Sequence, residues 1–184
     1  MAEYYLISQL PSLDGLSDTV PLPITEERFV GLCESLLKDK IINELSNLTL
    51  IPSLNPIKSK SALITAWNQG ERCLRLSIAK VRAEKMEKSF DLGGQALPNQ
   101  LTKIASSAVE IDNPLEAEKF LTEYRLNFLE SLRPLDSFSE DYIYYYYIKL
   151  KLLQRMRQFN EKEGEITYKN IYNSIMNGDK TEAM

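Results

Sequence analysis

Five tyrosines, at positions 142, 144, 145, 146 and 147, crowd the start of residues 141–160, and Lys149, Lys151, Arg155 and Arg157 follow in the same segment. Tyrosine joins an apolar ring to a polar tip. Such a cluster is therefore either a core whose hydroxyls find partners or a surface that meets another molecule. At about 100° per residue, Ile148, Phe159, Leu152, Tyr145, Met156, Tyr142, Leu153, Tyr146, Leu150 and Ile143 share one broad helical arc. Tyr144 and Tyr147 fall on the opposite arc with Lys151, Gln154, Arg155 and Gln158, which predicts exposed aromatics beside cations and amides. That set would suit a protein partner, or single-stranded nucleic acid held by stacking and positive charge. A helix buried around most of its circumference accounts for the same residues by packing alone. Lys149 and Arg157 lie inside the apolar arc, so they must snorkel to its edges or pair with acids on a neighbour.

Elsewhere the chemistry is sparse. With no histidine in the chain, Ser-His-Asp and Cys-His catalysis, His-ligated zinc and imidazole switching are all excluded. A metal site would need carboxylates alone, and none is expected. Cys33 and Cys73 lack CxxC spacing and sit beside apolar helix positions, as small buried hydrophobes do. Ser106 and Ser107 have no nucleophile elbow around them, and Glu116, Glu118 and Glu123 spread around their helix as a solvated face would. Gly93-Gly94 has neither a GxxxxGK[ST] nor a strand-GxGxxG context. Lysine catalysis depends on burial that a sequence does not display. These residues favour a binding or structural role over an enzyme, with no cofactor.

The chain of 184 residues suits one domain with a substantial core. Its start has no basic region followed by a long apolar run, so a reduced, cytoplasmic protein is expected, in which the Asn47 sequon stays unmodified. No apolar run approaches membrane-spanning length. The net charge is −4, which argues against general attraction to nucleic acid or anionic lipid. Charge is unevenly placed, however. Residues 58–88 hold eight Lys/Arg against three Asp/Glu, and residues 91–141 hold four against ten. Opposed blocks of this kind predict pairing within the fold or across a subunit contact.

The elements that must carry these residues read as helices. Residues 4–13 are short and apolar, either an edge strand or a first helical turn. Thr25 has the character of an N-cap, with Glu26 and Glu27 in the first turn and Phe29, Leu32, Leu36 and Leu37 facing inward, and a short helix over 41–50 follows. The segment 58–90 carries a narrow stripe of Leu63, Ala66, Trp67, Gly70, Leu74, Ser77, Ile78 and Val81. Gly70 costs about 1 kcal/mol of helix propensity there, which predicts a neighbour in close approach. Glu71 and Arg75 form an i,i+4 pair, and Arg72, Arg75 and Arg82 border the stripe as a solvated flank or as a ridge for an acidic partner. A helix over 99–109 precedes Asn113, which caps another with Pro114 at its first position, Glu116 in the capping-box position and Phe120, Leu121, Tyr124 and Phe128 on its inner face. Residues 137–140 repeat the capping pattern before the tyrosine helix. Gly164 is expected to end that helix, and Tyr168, Ile171, Ile175 and Met176 to form a last short one. The expected fold is all-α, an elongated helical bundle with a short apolar N-terminal segment. Its parts are residues 1–92, with the long Trp67 helix, and 95–184, with the tyrosine helix, joined at Gly93-Gly94 in one continuous domain.

Four segments carry a resemblance: YYLISQLPSL at 4–13, AWNQGERCLRLSIAKVRAEK at 66–85, NPLEAEKFLTEYRLNFLESL at 113–132 and YIYYYYIKLKLLQRMRQFNEKEG at 142–164. In order and spacing they resemble an uncharacterised bacterial family associated with V-type ATP synthases and related to the C-type funnel component of V/A-type ATPases, called d in eukaryotes. The resemblance covers most of the chain, although no single motif in it is chemically diagnostic. It implies part of that funnel fold and a non-catalytic, central-stalk connector between shaft and membrane rotor ring in proton or sodium transport. The implied partners are other V-type ATPase subunits, with no small-molecule substrate and no nucleic acid. The implied location is cytoplasmic, peripheral to the membrane through protein partners. The chain is much shorter than the standard three-part funnel, so a reduced subunit, an accessory or an assembly factor all fit. The candidate partner-binding residues, Arg72, Arg75, Arg82, Tyr144, Tyr147, Lys151 and Arg155, come from the helix wheels and not from the family.

Overall fold

The computed structural model describes residues 2–16, 20–52, 59–158 and 161–178, and among these every regular element is a helix. In chain order they are α1 (Ala2–Gln9), α2 (Glu26–Leu36), α3 (Asp39–Ser46), α4 (Ala62–Lys85), α5 (Asn99–Glu110), α6 (Pro114–Ser131), α7 (Glu140–Gln158) and α8 (Glu161–Gly178). The all-α expectation holds, and the ambiguous N-terminal segment resolves as a helix.

Local chemistry sets most helix starts. Thr25 Oγ1 accepts from Arg28 N at 3.3 Å, Ser61 Oγ from Ile64 N at 3.1 Å and Asn113 Oδ1 from Leu115 N at 2.9 Å. Each satisfies an amide that the helix itself leaves unpaired. Within 137–140 the capping residue is Ser139, whose hydroxyl accepts from Tyr142 N at 3.3 Å. Gly164 does not end the tyrosine helix. It lies inside α8, where an exposed glycine costs only about 1 kcal/mol. Phe159 and the positions after Gly178 lie outside the described residues, as does Pro56.

Two cores share the long helices. The first gathers α1, α2, α3, the start of α4, the end of α6 and α7 around Phe29, Trp67, Leu129 and the tyrosines. The second packs Cys73, Leu74 and Ile78 of α4 against Leu101, Ala105 and Ala108 of α5 and Leu121 of α6. Both draw on residues from either side of Gly93-Gly94, whose φ values of 58° and 77° mark a turn that favours glycine.

Gly70 lies where α4 meets α6. A methyl group added there would overlap the Phe128 ring, so the close approach expected from the stripe is present.

Helix α7 runs through the middle of the first core. It packs against α1, α3, α4 and α6, while Phe29 of α2 stacks on Tyr146 and Tyr147 at centroid distances of 5.4 and 5.2 Å. Residues 143–148 are buried without interruption. Fully burying one large apolar side chain contributes about 1.5–3 kcal/mol, against about 0–1 for an exposed ion pair. Packing, not surface charge, therefore fixes this helix.

Candidate interaction site on the tyrosine helix

The two arcs of α7 face different neighbours, and the arc of Tyr144 and Tyr147 is buried rather than open to solvent as expected. Tyr144 is 1 % exposed and Tyr147 4 %, so neither is the surface aromatic expected of it. The reason is position: α7 is ringed by other helices, and its minority arc faces α2 and α3 rather than solvent. Tyr145 and Tyr146 are buried as expected, and Tyr142 is half-buried against Tyr145 with centroids 5.6 Å apart.

The hydroxyls reach outward to different elements. Tyr145 donates to Glu130 Oε2 on α6, Tyr146 to the Pro11 carbonyl at 2.8 Å and Tyr147 to Glu26 Oε1 on α2 at 2.8 Å. Three rings thus fill the core while their tips fasten three surrounding segments. Tyr144 differs, because its buried hydroxyl has no hydrogen-bond partner among the described residues. Burial raises the pKa of all four hydroxyls, that of Tyr145 to about 12, with Glu130, Glu26 and Glu44 adding to the effect at Tyr145, Tyr147 and Tyr144 respectively.

Cations occupy the edges of the helix. Lys151 lies over the Tyr147 ring at 4.4 Å, donates to the Leu48 carbonyl at 3.0 Å and pairs with Glu26 at 3.3 Å. Arg155 Nε donates to Glu118 Oε1 at 2.9 Å. Lys151 and Arg155 line one shallow depression of about 270 Å³ with Gln154, Gln158, Glu26, Thr49 and Leu50. The polar half of the predicted surface is present there, and the aromatic half lies beneath it. Lys149 and Arg157 resolve as required of cations on an apolar arc: Lys149 binds Asp14 and Glu130, and Arg157 donates to the Val20 carbonyl. Burial alone would lower the Lys149 pKa, but its bonds to Asp14 and Tyr145 outweigh that and raise it. A lysine held charged in this way is not a nucleophile.

The arginines of α4 separate into different settings. Arg82 is exposed and Arg72 half-buried. Arg75 donates to Glu71 Oε1 at 2.8 Å, the expected i,i+4 pair. Glu71 itself was not expected inside, yet it is 2 % exposed and takes two further bonds from Arg125, at 2.9 and 3.1 Å. Arg125 Nη1 lies 3.6 Å from Glu118, which also holds Arg155. A single alternating chain of charges, Arg75–Glu71–Arg125–Glu118–Arg155, therefore crosses α4, α6 and α7. Two of the proposed partner-binding residues, Arg75 and Arg155, form its partly exposed ends. The signal was available in the sequence: Glu71 falls four residues after Trp67 and three before Leu74, and Arg125 four from both Leu121 and Leu129.

The cysteines are both buried. Burial pushes the Cys33 thiol up to about 12, and Cys73 Sγ accepts from Gln69 and Gln95 at 3.5 and 3.4 Å. Among the described residues no group of three or more His, Cys, Asp or Glu side chains is placed to hold a metal ion, and no helix is long and apolar enough to cross a membrane. A mostly apolar cleft of about 880 Å³ opens between α4, α5 and α6, with Gly70, Cys73, Leu101, Ile104 and Phe128 in its walls.

No curated protein and no solved structure matches this chain. A family model described as Protein of unknown function (DUF2764) matches residues 60–179. That span takes in every helix from α4 to α8, the charge chain and the tyrosines of α7, so the chain belongs to the DUF2764 family.

Proposed function

We propose that this protein is a non-catalytic helical component of, or a factor associated with, a V-type rotary ATPase. In this reading it acts as a central-stalk connector of the C-type funnel kind between the shaft and the membrane rotor ring, and is peripheral to the membrane through its protein partners. The observation that carries the reading is the ordered run of four segments that resembles the family associated with V-type ATP synthases. The fold supports it in a general way. A connector that transmits force needs rigid helices locked to one another, and here a central helix is fastened to its neighbours by buried rings, hydroxyl bonds and a charge chain. The groups most able to do chemistry, the two thiols and Lys149, are engaged in packing or ion pairing.

The solvent-facing candidates for contact are Arg82, on α4, and the Lys151–Arg155 depression, on α7. Stacking of single-stranded nucleic acid on Tyr144 and Tyr147 loses its basis, since neither ring is accessible. The test is purification of the native V-type complex by a tag on one of its catalytic subunits. This chain is expected to co-purify in a fixed ratio, or during assembly only if it is a factor. A fully coupled complex assembled in cells lacking the chain would overturn the proposal.

A further inference from the structure

Helix α8 is amphipathic and, among the described residues, has no extended packing against any other helix. Its described side chains, from Gly164 through Ile175, are all exposed. Tyr168, Ile171, Tyr172 and Ile175 are 68, 55, 51 and 61 % exposed and fall at the i, i+3, i+4, i+7 spacing of a single stripe. Such a stripe normally faces a partner. The rest of the helix narrows the choice. Glu165 and Lys169 beside the stripe neutralise each other at 2.6 Å, and Asn170 and Asn173 lie on the far face with Ile166. Nothing in this pattern attracts a strongly acidic or basic surface.

The order of residues in the stripe is self-complementary. Reversed about the midpoint between Ile171 and Tyr172, Tyr168 falls opposite Ile175 and Ile171 opposite Tyr172. Every layer then sets a large ring against a smaller aliphatic group. No charge meets its like, because Glu165 falls opposite Gly178 and Lys169 opposite Ser174. Antiparallel pairing also opposes the helix dipoles favourably. We infer that α8 pairs antiparallel with α8 of a second copy of this chain, about a twofold axis between Ile171 and Tyr172. In such an isologous contact residue i meets j and j meets i.

Area agrees with this occupant. With about 150–250 Å² for each aromatic side chain, the four stripe residues leave on the order of 500 Å² open per copy. Two copies together reach about 1,000 Å², just under the roughly 1,200–2,000 Å² that stable specific interfaces bury, which predicts a weak, concentration-dependent dimer. The pairing does not depend on the rotary-ATPase reading.

Sedimentation velocity on the full chain at about 100 µM, above the micromolar constants of weak interfaces, is expected to show dimer that dissociates on dilution. The double substitution Ile171→Glu with Tyr172→Glu is expected to weaken association at least about tenfold, the effect of losing 1.4 kcal/mol. It should leave the unfolding midpoint of the body unchanged, because α8 has no extended packing on it. Orientation is read by cross-linking: a Tyr168→Cys chain mixed with an Ile175→Cys chain should form disulfide faster than either chain alone. A monomer throughout, a dimer that survives the double substitution, or faster like-with-like cross-linking would each overturn the inference. So would an α8 stripe that binds only a different protein.

Discussion

Glu71 and Arg125, 54 residues apart in sequence, meet through two hydrogen bonds of 2.9 and 3.1 Å at the level of the chain where the first core gives way to the second. Neither side chain reaches solvent freely, the glutamate being 1 % and the arginine 10 % exposed. Coulombic gain in such a pair roughly offsets desolvation, so the pair is better regarded as a device of register between α4 and α6 than as a source of stability.

That view makes a definite prediction. Arg125→Met leaves the buried Glu71 carboxylate with only the half-buried Arg75 to pair it and should cost up to about 3–5 kcal/mol, while the double variant Glu71→Leu with Arg125→Met should recover most of it. Urea denaturation of the four members of the cycle measures the coupling. Additive losses would show that the two charges do not act as a pair.

The tyrosines allow a test in which two conservative changes should differ in outcome. Tyr147→Phe removes a hydroxyl that donates to Glu26, and about 1.5–3 kcal/mol is at stake for a bond to a charged group. Tyr144→Phe removes a buried hydroxyl that has no hydrogen-bond partner among the described residues, and should be neutral or stabilising. Equal destabilisation by both would mean that Tyr144 has a bond absent from this arrangement, with Glu44, which adds to its raised pKa, the candidate to supply it.

These tyrosines also show how far a single sequence reaches. The caps at Thr25 and Asn113 were legible because capping is local: a side chain satisfies an amide two or three residues away. The wheel of α7 correctly separated its arcs but carried no information on what lies opposite each, and a central helix has no solvent side. Glu71 was legible as a partner of Arg75, four residues on, and illegible as a partner of Arg125, since nothing local links α4 to α6. Lys151 and Arg155 do line one depression, yet their glutamates, Glu26 and Glu118, come from α2 and α6. Long-range pairing is where the sequence falls silent.

Gly70 is the exception, a long-range contact that left a local trace. Gly70→Ala gains about 1 kcal/mol of helix propensity, but the added methyl must displace the Phe128 ring, and overpacking costs about 1–3 kcal/mol. Net destabilisation is expected by thermal or urea unfolding. Pairing the change with Phe128→Leu should turn the loss into a smaller one, and a stable single variant with an undisturbed Phe128 would refute the close approach.

Alkaline pH should unfold the protein by attacking the same helix. Burial raises the folded pKa of Tyr145 to about 12, from an ordinary value of 10.0, and raises those of Tyr144, Tyr146 and Tyr147 as well. For Lys149, burial opposes the charged form but the bonds to Asp14 and Tyr145 prevail, so its pKa also rises, from 10.5. A group whose pKa is higher in the folded state binds its proton more tightly there, so its stabilisation is complete below the unfolded value and disappears as pH climbs through the folded one. Stability should therefore begin to fall near pH 10 and continue falling through about pH 12. Glu130 has the opposite sign: burial would raise its pKa, but Tyr145, Arg133 and Lys149 together lower it below 4.5, and its contribution is lost only as pH falls through the folded value. Urea midpoints across the alkaline range, followed with tyrosinate absorbance, check the argument. The four buried hydroxyls should ionise together with the loss of tertiary structure, and ionisation that precedes unfolding would show that water already reaches them in the native fold.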